Sequence, residues 1–404
     1  MESTILINLL FVGVVIVGTI GLRYASEQIR ISPVVAFFVL GALLRAAASY
    51  GFVPFLLDQQ VFPFLADLGV IVLLFQVGLD SNLSRLLAQL PDALWVSAGD
   101  VLVSGSLAFA ATYGLLGWAL IPSLFVSAAF SATSVGVTVA VWQDADQLNT
   151  REGSILVDVA EVDDLTGILF MALLLSVVPI LQGTAEGALL SAVGTTLAWT
   201  LAKFALFGTA CLLFALYLEG PMTRLFDRLH AGEGIMLVMV GVGIIVAAAA
   251  GLSGLSIAVG AFFAGLIFHR DVHTTQYMDA FRPLHDLLAP FFFVSIGLHL
   301  TPEALGAVGG SVLVLFIVAV VGKVLGASLP AMAVVGSSSA FVLGLSLVPR
   351  AEIALVIMQR GLELGDWAVS PDVFAQVVLV SAATVLFVPI VLRPLLRRSK
   401  FASY

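Results

Sequence analysis

Residues 154–178, SILVDVAEVDDLTGILFMALLLSVV, read as one membrane-spanning helix with two adjacent acids, Asp163 and Asp164, inside it. An ionised Asp at mid-bilayer costs about 2.5–3.5 kcal/mol by insertion measurements, so paired acids in a span signal a functional site. Counting from Arg151 at 1.5 Å per residue places the pair roughly 18–20 Å along the helix, near the middle of a hydrocarbon core about 30 Å thick. Successive helical residues are turned by about 100°, which lets one acid face a fixed cation while the other faces an open cavity. A plain structural hydrogen bond or ion pair is the competing reading. Transport of a proton or a small cation is the use such a pair suits best.

Composition places the rest of the chain in the same class. Of 404 residues, 60% are hydrophobic and 11% charged, with a mean hydropathy of +1.12, far from soluble-domain averages. Apolar runs of about 18 residues or more begin near Ile5, Ser32, Val61, Ala93, Ile121, Ser154, Leu190, Gly234, Leu252, Leu284, Leu305, Val334 and Val373. The expected fold is therefore an all-α polytopic membrane protein with about thirteen transmembrane helices, forming one transporter unit over 1–404. Spans and short loops use nearly the whole sequence, leaving no room in it for a soluble nucleotide-binding or regulatory domain. The first span follows Met1-Glu2-Ser3-Thr4 without a basic n-region and reads as a retained helix. Cys211 stands alone, which excludes a disulfide framework or a multi-thiol metal site.

The pattern excludes several classes. His230, His269, His273, His285 and His299 show no HExxH spacing, and an intramembrane aspartyl protease needs acids on two separate helices. No enzyme, resident cofactor or nucleic-acid partner is implied. A cation channel shares the use of intramembrane carboxylates and stays open as an alternative.

Short cytoplasmic loops carry the excess of Lys and Arg. With thirteen spans and the N-terminus outside, Arg23, Arg30, Arg85, Arg151, Arg224, Arg228, Arg270, Arg282, Arg393, Arg397, Arg398 and Lys400 fall inside, and Arg45 and Arg360 outside. The C-terminus is then cytoplasmic. The net charge of −9 says little, because acids contribute little to topology.

LLFQVGLDSNLSRL from Leu73 is echoed by FFFVSIGLHLTPEAL from Phe291. Taking these as equivalent gives two six-helix repeats, 1–180 and 231–398, joined by a linker helix in 181–230. An odd linker inverts one half against the other, and inverted repeats place a binding site near mid-membrane on interrupted helices. Candidate interruptions lie at 130–143 (FSATSVGVTVAVWQ) and 337–360 (SSSAFVLGLSLVPRAEIALVIMQR), where small residues, hydroxyls and Pro349 cluster. Thr133 and Ser134 offer hydroxyl oxygens to a cation. Arg350 and Glu352 sit by the second interruption, suited to neutralise half-helix ends or to pair with each other. Lys323 either snorkels to the inner interface or meets a buried acid; Lys203, in the linker, reads as snorkelling or as a dimer contact.

The chain resembles the monovalent cation/proton antiporter-2 family, and within it the NapA-type sodium/proton exchangers. The resemblance runs almost end to end and rests on ADLGVIVLLFQVGLD (66–80), SATSVGVTVAVWQ (131–143), VDDLTGI (162–168), VGAFFAGLIF (259–268), PFFFVSIGL (290–298), Gly322-Lys323 and VPRAE (348–352), taken in order. It implies a homodimer whose mobile core domain, moving in an elevator-like way, holds two crossed, unwound helices. It also implies exchange of Na+ or Li+ for H+ across a prokaryotic plasma membrane. Asp164 becomes the ion- and proton-carrying carboxylate, Asp163 its companion at the transported Na+, and Lys323 the ion-pair partner of Asp163. The Asp-Asp form implies unequal charge exchange. A K+/H+ antiporter of the Kef type without its regulatory domain is the nearest alternative.

Asp100, Asp158 and Glu161 depart from that family's pattern, where apolar or small residues are more usual. Asp158, roughly 9–10 Å into its span, suits a cytoplasmic funnel that concentrates cations. Glu161 falls about one turn before Asp164. Asp100 suits pairing with a lysine or service as an extra proton site.

Overall fold

A computed structural model describes residues 2–28, 32–49, 61–80, 83–148, 150–183, 189–222, 234–268, 274–300 and 309–398. Among the expected inside cations, Arg30, Arg224, Arg228, Arg270 and Lys400 lie outside the described residues, as do His230, His269 and His273.

The helices in chain order are α1 (Glu2–Gln28), α2 (Pro33–Ser49), α3 (Val61–Asp80), α4 (Leu83–Phe109), α5 (Leu120–Ser131), α6 (Val135–Asp144), α7 (Arg151–Gly183) and α8 (Leu189–Tyr217). There follow α9 (Gly234–Leu252), α10 (Ile257–Phe268), α11 (Thr274–Leu298), α12 (Gly310–Val335), α13 (Ser337–Ser346), α14 (Glu352–Leu364) and α15 (Pro371–Arg398). With α5/α6 and α13/α14 each taken as one interrupted span, helices occupy all thirteen expected segments, and the all-α expectation holds. Seven of the described helices are long and apolar enough to cross a membrane by length and composition, while α2, α5, α9, α10 and α13 are shorter apolar helices. The expected run from Leu252 departs most: residues 253–256 turn, with Gly254 at φ +80°, and the helix behind them has only 12 residues.

Two compact units divide the chain, and each draws on both halves of the sequence. The first comprises Met1–Gly21, Phe55–Leu83 and Ala172–Ser295. Within it α3 and α10 pack backbone to backbone through Gly78 and Gly265, where an added Cβ would run into the Phe262 and Phe75 carbonyls. Phe268 and Phe281 close this contact, with ring centroids 5.9 and 4.6 Å from that of Phe75, respectively. The Lys203 ammonium lies 5.8 Å from the centroid of the Trp199 ring.

The second unit comprises Leu22–Pro54, Ser84–Met171 and Ile296–Tyr404 and contains both interruptions. At the first, Ala132 and Ser134 leave the helix in extended conformation (ψ 151° and 108°). At the second, Pro349 supplies no N–H and disfavours helical geometry in Val348, so α13 ends at Ser346 and helix resumes only at Glu352. The freed backbone groups find one another: the Ser134 N–H donates to the Pro349 carbonyl at 2.8 Å. The Thr138 hydroxyl donates to the Ser346 carbonyl at 2.7 Å, and the Trp142 indole to the Ser346 hydroxyl at 2.9 Å. Irregular backbone is tolerated at membrane depth when it is satisfied in this way.

Helix α4 lies tightly on α12. A Cβ on Gly326 would stand 2.9 Å from the Asp100 Cα and 3.0 Å from the Gly99 carbonyl oxygen, and one on Gly99 would stand 2.8 Å from the Gly326 carbonyl oxygen. This approach brings the side chains of Asp100 and Lys323 into contact. Gly326→Val is expected to push the helices apart at a cost of about 1–3 kcal/mol, lowering the thermal unfolding midpoint in detergent; an unchanged midpoint would contradict the close approach.

Candidate functional site: a buried lysine among carboxylates

Lys323, in the middle of α12, is fully enclosed. It does not snorkel. Its ammonium donates to Asp100 Oδ2 at 2.5 Å, to the Ser131 carbonyl at 2.7 Å, to Thr133 Oγ1 at 2.7 Å and to Asp163 Oδ2 at 3.1 Å. The Ser131 carbonyl is available because α5 stops there, so the first interruption supplies one ligand and positions the next, Thr133. The Thr133 hydroxyl in turn donates to Asp163 Oδ2 at 2.7 Å, and Ser97 donates to Asp163 Oδ1 at 2.6 Å. Both oxygens of Asp163 are therefore engaged.

Asp164, the next residue, is treated differently. It is 9% exposed, and its Oδ1 is buried and accepts no hydrogen bond. The charged groups acting on it are the carboxylates of Glu352, Asp163 and Glu161 and the Lys323 ammonium. One acid of the doublet is thus held in a network, while its neighbour keeps an oxygen free among like charges. A buried carboxylate oxygen without a donor is costly unless a proton or a metal cation reaches it.

The second interruption contributes Arg350, fully buried. Its guanidinium donates to the carbonyls of Phe130 (3.2 Å from Nε, 3.0 Å from Nη2), Val348 (3.0 Å) and Ala319 (3.1 Å), and lies 4.6 Å from the Phe130 ring. Phe130 is in the last turn of α5, so Arg350 sits at the negative end of that half-helix, where a cation is favourable. Glu352 does not pair with Arg350; it accepts from the Ser134 hydroxyl at 2.7 Å.

Three expectations change. Thr133 is taken up by Lys323 and Asp163 rather than presented as a free cation ligand, and the Ser134 hydroxyl points to Glu352 instead of the acid pair. Asp158 is fully enclosed, so its carboxyl does not line an aqueous funnel. Glu161 is 9% exposed and acts on Asp164, as its one-turn spacing suggests. Asp100 meets a lysine, the first of the two uses foreseen for it. Ser97 escaped the sequence reading, although its place three residues before Asp100 puts both on one face of α4.

The profile of the family described as "Sodium/hydrogen exchanger, transmembrane" matches residues 11–398, and the chain belongs to that family of multi-pass membrane proteins. Among its relatives is the high-affinity Na+/H+ antiporter NhaS3 of Synechocystis, 29% identical over 355 residues that cover 85% of this chain and 73% of that one. The Na+/H+ antiporter of Enterococcus hirae is 26% identical over 94% and 95% of the two chains, and the Na+/H+-K+ antiporter GerN of Bacillus cereus 26% identical over 83% and 84%. The fold is that of the sodium proton antiporter MjNhaP1 of Methanocaldococcus jannaschii, with a TM-score of 0.73 at 15% identity, covering 98% of this chain and 99% of that one.

Proposed function

We propose that the chain exchanges Na+ or Li+ for H+ across a prokaryotic plasma membrane, by alternating access, with Asp164 as the carboxylate that takes either passenger. The observation that carries this reading is the unpartnered, buried Asp164 Oδ1 beside an Asp163 whose two oxygens are already engaged. A proton and a metal cation compete for that oxygen, and the competition makes the loaded forms alternatives. Family membership and the names of the relatives support sodium and proton as the passengers.

In this reading Lys323, Ser97 and Thr133 hold Asp163 in place, and Arg350 stabilises the α5 end that supplies the Ser131 carbonyl and Thr133. Glu161 and Glu352 add negative charge that draws a cation to Asp164. Two inverted repeats, 1–180 and 231–398 around the linker 181–230, provide the crossed interruptions. The working form is a homodimer in the lipid bilayer, its N-terminus outside and C-terminus inside, moving more protons than cations per cycle.

The purified chain in proteoliposomes, with a pH-sensitive dye and membrane voltage clamped, tests the passenger list. Sodium and lithium are expected to drive proton movement more strongly than potassium, and the rate is expected to respond to voltage. A potassium response equal to that of sodium would move the assignment to the K+-using branch that GerN's name exemplifies. Unitary currents in single-channel recording would replace the exchanger by a channel.

A further inference from the structure

Lys323 has more acceptors than hydrogens. An ammonium carries three hydrogens, yet Asp100 Oδ2 at 2.5 Å, the Ser131 carbonyl at 2.7 Å, Thr133 Oγ1 at 2.7 Å and Asp163 Oδ2 at 3.1 Å surround Nζ. Asp163 is the most distant of the four, and it is also held from elsewhere, by Ser97 at Oδ1 and by Thr133 at Oδ2. Its placement does not depend on the ammonium. With Nζ withdrawn from Asp163, three acceptors remain for three hydrogens, and Ser97 and Thr133 still hold the carboxylate.

Asp100 is tied to Lys323 more firmly than Asp163 is. Asp100 and Lys323 are both fully enclosed, and the helices that carry them touch backbone to backbone over two turns. An added Cβ would stand 2.9 Å from the Asp100 Cα at Gly326 and 3.0 Å from the Ser104 Cα at Gly322. Asp163 comes from a third helix, α7. Of the two ion pairs that Lys323 makes here, the one inside the α4–α12 contact is the shorter, 2.5 Å against 3.1 Å. The exchange reading so far gives Asp100 no task.

We propose that Asp100 is a positioning residue that retains the Lys323 ammonium when the transported cation displaces it from Asp163. This rests on the antiport reading and deepens it by naming what frees Asp163 for the cation. In this structure the ammonium takes the place at Asp163 Oδ2 that a metal cation needs. When Na+ or Li+ settles against the acid doublet it takes over that oxygen, and Nζ draws back onto Asp100, the Ser131 carbonyl and Thr133. One ion pair is exchanged for another. No buried charge is left alone, a state that is strongly destabilising. Without the Asp100 carboxylate, Lys323 has Asp163 as its remaining ion-pair partner, so ammonium and cation compete for one group.

Sodium binding to the purified full chain in detergent, measured by calorimetry at one fixed alkaline pH, tests this. Asp100→Asn is expected to weaken the apparent affinity about tenfold, the scale of coupling between contacting charges, and Asp100→Glu to restore it towards the wild-type value. In a Lys323→Ala background there is no ammonium to retain, and adding Asp100→Asn is expected to change affinity by less than about twofold. A purely structural Asp100 would lower the unfolding midpoint and leave affinity unchanged. An Asp100 acting only as added negative charge would weaken sodium binding equally in both backgrounds. Either result overturns the proposal. Should either variant not fold, structures of the wild type with and without sodium decide. Nζ within hydrogen-bond reach of Asp100 and out of reach of Asp163 in the sodium-bound form supports it, and Nζ still on Asp163 there overturns it. Absence of sodium and lithium binding to the wild type would instead defeat the antiport reading itself.

Discussion

Asp164→Asn protein in proteoliposomes is expected to show cation-driven proton movement no greater than that of empty vesicles. Asparagine keeps the shape of the protonated acid but cannot exchange a proton or offer an anionic oxygen, so both half-reactions lose their site. The same change removes a charge that sits among Glu352, Asp163 and Glu161. The variant is therefore expected to unfold in detergent at a temperature no lower than the wild type, because relief of like-charge repulsion offsets any lost contact. Lost transport with retained stability marks a transporting group; transport at the wild-type rate would remove Asp164 from the mechanism.

Lys323→Ala is expected to produce the largest loss of stability of any single change in the site. It strips the ammonium from two enclosed carboxylates, Asp100 and Asp163, and the hydrogen-bond donor from the Ser131 carbonyl and Thr133 hydroxyl. Removing one member of a buried pair while leaving the other charged costs about 3–5 kcal/mol, more than the helix crowding expected of Gly326→Val. Adding Asp100→Asn to Lys323→Ala is expected to recover part of the loss, because one of the stranded charges disappears; non-additivity of this kind is the signature of direct coupling. Equal unfolding midpoints for wild type and Lys323→Ala would show that the ammonium does not neutralise these acids.

Much of this architecture was legible in the sequence because local chemistry fixed it. Pro349, between Val348 and the charged Arg350, removes a backbone N–H where a span would need one, and the SATS stretch at 131–134 places hydroxyls where a span should be apolar. Both helices stop there. The acid doublet was legible for the same reason, since position within a span needs only counting. What sequence could not rank was which side chains meet across the fold. Ser97 reaches Asp163 over 66 positions, and Lys323 reaches Asp100 over 223. The gap matters most for Asp158, whose depth along its helix suited a funnel, whereas its enclosure depends on what packs around α7. Thr133 shows the same limit from the other side: a hydroxyl at an interruption is equally fit to bind a cation or to bridge a lysine and a carboxylate, and the approach of α12 decides for the bridge.

The account centres on one oxygen site that holds a proton or a metal cation and never both. Equilibrium binding of Na+ to the purified protein, measured by calorimetry at a series of pH values, tests that most directly. Apparent affinity is expected to weaken steadily as pH is lowered, while the amount bound at saturation stays constant and Asp164→Asn binds none at any pH. Affinity that is indifferent to pH, or sodium bound to Asp164→Asn as tightly as to the wild type, would contradict the account.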